Sequence, residues 1–151
     1  MKIPLFTLLS AILLVSCGNT MGNEIARLPI KELSNEELKF QEVSLELNKG
    51  DELSFWTDLD VEFEGELELG YGLEIYREET MLDVLQLDAF DVEPILNESI
   101  ESEGNTTKRS YVGKMASLLI DEEGTYIFKA VLISSEFPPT NIAKADLVIR
   151  Q

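Results

Sequence analysis

The sequence has no histidine and a single cysteine, Cys17. The first absence excludes Ser-His-Asp and Cys-His catalysis and every zinc site that needs an imidazole. The second excludes an internal disulfide and any thiolate metal site, so a fold must be held by packing. Positive charge is scarce: 12 Lys and Arg stand against 29 Asp and Glu, a net charge of −17. Nucleic acid is thereby excluded as a partner, because phosphates are held by Lys and Arg. The same charge keeps a domain soluble and suits cationic partners. Nine glycines are scattered without forming a phosphate-binding loop. Two enzyme routes survive, a carboxylate pair and a Ser-Lys pair. Among so many acids a pair can be drawn anywhere, so the pattern identifies no catalytic residue, and a non-catalytic protein is expected.

The one long apolar run lies at the start. Lys2 is followed by Leu5 to Val15, interrupted only by Thr7 and Ser10. That is shorter than the ~20 residues of a membrane span and has the shape of a signal peptide. It ends at Leu14-Val15-Ser16-Cys17. Small residues before a lone cysteine, directly after an apolar core, resemble the lipobox of bacterial lipoproteins. The resemblance implies that Cys17 receives a diacylglyceryl group, that the chain is cut before it, and that the new amine is acylated, with palmitate as a typical chain. Each buried methylene adds ~0.8 kcal/mol, so two or three chains anchor a protein in a membrane effectively for good. It implies a bacterial cell envelope, and Gly18 after the cysteine suits the outer membrane by analogy. The alternative is an ordinary signal peptide cut elsewhere, with Cys17 incidental, but a free lone thiol is unusual in an exported protein. Removing residues 1–16 takes Lys2 and no acid, so the net charge moves from −17 to −17 − 1 = −18. Residues 17–29 are read as the lipidated N-terminus and tether, and 30–151 as one domain.

From Phe40 onward the sequence has a period of two. Val43, Leu45 and Leu47 alternate with polar residues. Leu59, Val61, Phe63, Leu67, Leu69, Tyr71, Leu73 and Ile75 then hold odd positions almost without a break. Such alternation means strands with one face in a core. Gly65 interrupts the row. A three-residue connection, Glu64-Gly65-Glu66, would pair Phe63 with Leu67 in a hairpin; one long bent strand is the alternative. Thr80-Met81-Leu82-Asp83 could open a helix, but Leu82, Val84, Leu85 and Leu87 favour a strand. Residues 91–106 are expected to be the longest loop. Residues 109–120 read as one or two strands, 125–133 as the strongest and most central one, and 145–150 as the last. About eight strands with short turns and no internal repeat predict an all-β, antiparallel, jelly-roll-like β-sandwich. The stretches Leu47-Asn48-Lys49-Gly50-Asp51-Glu52-Leu53 and Glu123-Gly124-Thr125-Tyr126-Ile127-Phe128 resemble turn-and-strand signatures of bacterial jelly-roll and pre-peptidase C-terminal-like sandwiches. That resemblance implies a module that binds carbohydrate, calcium or another protein.

The most unusual feature is a row of acids. From Asp58 to Glu103 there are sixteen acids and one base, Arg77, and Asp58, Asp60, Glu62, Glu64, Glu66 and Glu68 all hold even positions. Carboxylates two apart on a strand sit about 7 Å apart, where repulsion in water is roughly 0.6 kcal/mol. An exposed row therefore needs no metal, and it is read as solvated surface. A calcium site, the one cofactor the row suggests, would sit where the backbone turns, at Asp58 and Asp60 or at Glu64 and Glu66. Trp56 shares the parity of the acids and is a candidate for stacking a sugar ring, against the ordinary role of a packed tryptophan. Asn97-Glu98-Ser99 and Asn105-Thr106-Thr107 match the glycosylation sequon, which carries no weight in a bacterial protein. The expected function is a membrane-anchored, non-catalytic binding or structural module. One alternative is an inhibitor or immunity-type protein neutralising a basic enzyme or toxin; the other is a calcium-assisted carbohydrate-binding module.

Overall fold

The computed structural model describes residues 21–34, 37–134 and 136–151. The residues read as signal peptide and lipobox, Cys17 included, lie outside them. Nine strands are formed: β1 (Glu24–Pro29), β2 (Gln41–Leu47), β3 (Glu52–Glu64), β4 (Gly70–Arg77), β5 (Thr80–Asp88), β6 (Ile95–Glu103), β7 (Thr106–Leu119), β8 (Gly124–Ile133) and β9 (Asn141–Arg150). They make a five-stranded sheet, β1-β9-β3-β7-β6, and a four-stranded sheet, β2-β8-β4-β5. All the strand pairings are antiparallel. The protein is an all-β sandwich.

The pairs are nested. β4 and β5 form a hairpin at the middle of the chain, β3 pairs β7 around it, β2 pairs β8, and β1 pairs β9. The chain is thus one long antiparallel ribbon rolled so that successive pairs fall in alternate sheets, with β6 added beside β7. This is jelly-roll connectivity.

Odd residues of β3 and β4 turn inward. Leu53, Phe55, Leu59 and Val61 of one sheet meet Tyr71, Leu73 and Ile75 of the other. β8 adds Tyr126, Phe128 and Leu132, and β9 adds Leu147 and Ile149. Phe55 and Phe128 touch across the two sheets at 5.9 Å between ring centroids, tilted by 58°. One polar pair is enclosed with them: the hydroxyls of Thr57 and Tyr71 lie 2.8 Å apart, each satisfying the other. Burial raises the Tyr71 phenol well above its ordinary pKa.

Three expectations are corrected. The segment read as tether contributes a strand, because Glu24–Pro29 pairs with β9 and places Leu28 in the core. There is no hairpin at Gly65: β3 and β4 belong to different sheets, and residues 65–69 carry the chain across the end of the sandwich. Phe63 and Leu67 still share an inward side, as parity requires, since both pack against the core. Residues 91–106 hold β6, an edge strand whose polar sequence hides its period. Its register shifts between Leu96 and Ser99, around Asn97 at φ 54°. Of the one or two strands read over residues 109–120, the structure forms one, the long β7.

Candidate functional site

The even residues of β3 all face outward, so the acid row begins on one face as its parity predicted. The neighbouring strands decide what happens there. Asp58 stands directly opposite Asp146 of β9, which alone would be repulsive. Arg27 of β1 reaches over both: its Nη1 donates to Asp58 Oδ2 and to Asp146 Oδ2, each at 2.8 Å. Its Nε and Nη2 donate to the two carboxylate oxygens of Glu24 at 2.8 and 2.9 Å. Lys144 Nζ lies 3.6 Å from Asp58, and Lys108 Nζ 3.9 Å from Asp60. The guanidinium lowers the Glu24 carboxyl pKa, chiefly by hydrogen bonding. Glu24 in turn raises Arg27, with Asp146 and Asp58 adding to it.

The residues singled out for calcium are therefore not brought together. Asp58 is matched by Arg27 of β1 and Lys144 of β9, while among the described residues Asp60 has only Lys108 of β7 at 3.9 Å and its buried Oδ1 makes no hydrogen bond. Glu64 and Glu66 flank Gly65, which takes φ 71°, and both are exposed. Among the described residues no three acids are grouped so as to hold a metal ion.

Trp56 faces outward with the acids but is 2% exposed. Its Nε1 donates to Ser54 Oγ at 2.8 Å, and the Arg150 guanidinium lies 5.1 Å from the ring centre. Lys114 stands opposite it on β7, and at that exposure no open ring face is left to stack a sugar. Tryptophan plays its usual packing role, here on the outer layer of the sheet.

A second candidate arrangement was not foreseen. At the end of the sandwich where β3 ends, a cleft of about 550 Å³ opens between Leu67, Leu69, Leu87, Phe90 and Ile133. That volume is within the range of small-ligand clefts, roughly 300–1,000 Å³. Glu68, Gln86 and Asp88 stand at its polar rim. The crossing segment is held in place by backbone bonds: Glu68 N–H donates to Phe137 O at 2.9 Å, and Ser134 Oγ donates to Glu68 O at 2.7 Å. Asp88 Oδ1 accepts from Phe90 N–H at 2.8 Å and turns the chain out of β5. Gly70 belongs to the same construction. A Cβ there would lie 2.6 Å from the Leu87 carbonyl oxygen, so only glycine lets β4 and the end of β5 approach so closely.

One signal for this corner stands in the sequence. Gly70 and Gly72 interrupt an otherwise dense β pattern, and glycines inside a strand mark a close approach of backbones. The cleft walls, however, come from three separate segments, and their convergence is a tertiary fact.

The opposite end of the sandwich carries both ends of the described chain. Asn23 and Gln151 exchange backbone hydrogen bonds at 2.8 and 2.9 Å. Around them lie the turns at Lys49-Gly50 and Glu78-Glu79 and the acids Asp121, Glu122 and Glu123.

No protein family matches the chain, and neither does any curated protein or solved structure.

Proposed function

We propose that this protein is a bacterial envelope lipoprotein, anchored through acyl chains on Cys17, whose sandwich is a non-catalytic binding module that presents its cleft end away from the membrane. The observation that carries the reading is the position of the Asn23–Gln151 pairing. It lies at the end opposite the cleft and six residues after Cys17. Six residues reach at most ~20 Å, so the end bearing Asn23 would be the one nearest the bilayer. The acids around that end repel anionic headgroups, which favours a domain held off the surface rather than lying on it. The cleft end then faces soluble partners. The chemistry of the chain supports binding over catalysis, since it offers no histidine or free thiol to activate a nucleophile. The alternative of a calcium-assisted carbohydrate module loses its supports, because Trp56 is covered and the first acids of the row are already paired.

The test is metabolic labelling of the native host with an alkyne fatty acid, followed by fractionation. The full chain is expected to carry label and to pellet with membranes. Cys17→Ala is expected to lose all label and to leave the lipid-anchored fraction. Label that persists in Cys17→Ala, or an unlabelled parent chain, overturns the anchor.

A further inference from the structure

The two sheets have four edge strands: β1, β6, β2 and β5. An open edge is a row of unpaired N–H and C=O groups, which proteins ordinarily blunt with charge, proline or bulges. Three of these edges are blunted. β1 carries Arg27 with its carboxylate partners and ends in Pro29. β2 points Glu42 and Glu46 outward, the first 3.9 Å from Lys129 and the second accepting from Thr125. β6 is bulged at Asn97 and carries Glu98, Glu101 and Glu103.

β5 differs. Its one register shift against β4, at the Ile75/Tyr76 step, bulges it at Leu82. From Asp83 to Asp88 it runs regularly, and of the N–H groups on its open side in that stretch Val84 donates to Asp83 Oδ1 at 2.8 Å. Among the described residues no strand pairs with its other side. Met81, Leu82 and Val84 are exposed on it, Val84 at 55%. Its charged residues are Asp83 and Asp88, both acidic, and Asp88 also stands at the rim of the cleft. A regular apolar edge leading into an apolar cleft is the geometry that accepts an added strand.

Charge selects the occupant. A second copy of this chain would bring another −17 to the edge. A basic strand would find Asp88 and Glu68 at the cleft end of β5, and no ion pair engages either among the described residues. We infer that the open edge of β5 is a strand-addition site for an extended, cationic segment of another protein, with one of its apolar side chains entering the cleft beside Asp88. The inference rests on the reading of the sandwich as a binding module and not on the anchor.

The test uses the full chain as the cell yields it, in nanodiscs of zwitterionic lipid if it is acylated and free in solution if it is not. The probe is a short peptide of alternating lysine and valine. Hydrogen exchange is expected to show new protection over Thr80–Asp88 when the peptide binds. A peptide of the same sequence, N-methylated at alternate amides, keeps its charge but cannot complete the ladder, and is expected to bind at least about tenfold more weakly. Val84→Lys is expected to weaken binding by a similar factor, while Glu101→Lys on β6 changes it less than about twofold. Equal binding of the methylated peptide, protection elsewhere on the chain, or a dimer that already protects β5 without peptide would each overturn the proposal. Loss of the lipid label leaves this assay untouched. Failure of the peptide leaves the label untouched, so the two readings fail separately.

Discussion

Two regions of the sandwich handle acid in opposite ways. On the outward face of the five-stranded sheet, Asp58, Asp60 and Asp146 stand close together and each is met by a base from a neighbouring strand. At the corner formed by β5 and the cleft, Glu68 and Asp88 stand beside the half-buried Leu67 and Phe90, and no ion pair to either acid is found among the described residues. Matched charge on a closed face contributes to stability and leaves little for a partner to gain. Unmatched charge beside uncovered apolar surface contributes little to folding but gives a cationic partner something to neutralise and something to bury. The composition is acidic throughout, yet the two regions have different consequences.

The largest effect that would sharpen this contrast is expected at Arg27. Arg27→Ala leaves Asp58 facing Asp146 across β3 and β9. A loss of about 2 kcal/mol is expected in chemical denaturation. That is less than the ~3–5 kcal/mol of a fully buried pair because the guanidinium is about one-third exposed. Asp58→Asn introduced into Arg27→Ala should recover part of it; no recovery would break the account of the row as mutually matched charge.

Tyr71→Phe comes next. It leaves the Thr57 hydroxyl enclosed without its partner, at a cost of about 1–2 kcal/mol near neutral pH. The alkaline limb tests the same residue. Its folded pKa is raised, so its neutral form contributes fully below the ordinary tyrosine value of about 10. The contribution is lost as pH climbs from there toward the folded value, at ~1.4 kcal/mol per pH unit. Denaturation at pH 9 and 11 should show a drop that is smaller by about 1.4 kcal/mol in Tyr71→Phe. An unchanged drop would mean that the Tyr71 phenol is not enclosed as described.

The smallest effect is expected at the far turn. Glu64→Gln combined with Glu66→Gln should change stability by less than about 0.5 kcal/mol. Calcium at fixed ionic strength should leave the thermal midpoint where magnesium leaves it. A rise specific to calcium would place a cation site at this end and break the contrast from the other side.

Much of the fold was legible because a β period of two is local. The odd positions from Leu59 to Ile75 named the inward faces of β3 and β4 before any partner was known. The density of apolar residues from Thr125 to Ile133 marked β8 as central. β6 was missed because both of its faces are polar and a bulge at Asn97 breaks its parity, so it carries no hydrophobic signal. The bend at Gly65 was placed correctly but read as a hairpin. Parity demands only that Phe63 and Leu67 point the same way, and a crossing between sheets satisfies that as well as a hairpin does.

By itself the sequence determined the excluded chemistries, the acidic surface, the all-β period and the parity of Trp56 and the acid row. These depend on residue types and on spacing along one strand. Only the tertiary structure decided that Trp56 is covered, that Arg27, Lys108 and Lys144 meet the acids, and that Leu67, Phe90 and Ile133 converge on a cleft. The physical reason is one of range: alternation says which way a side chain points, while its neighbours come from distant strands, as Arg27 and Asp146 do at a separation of 119 positions.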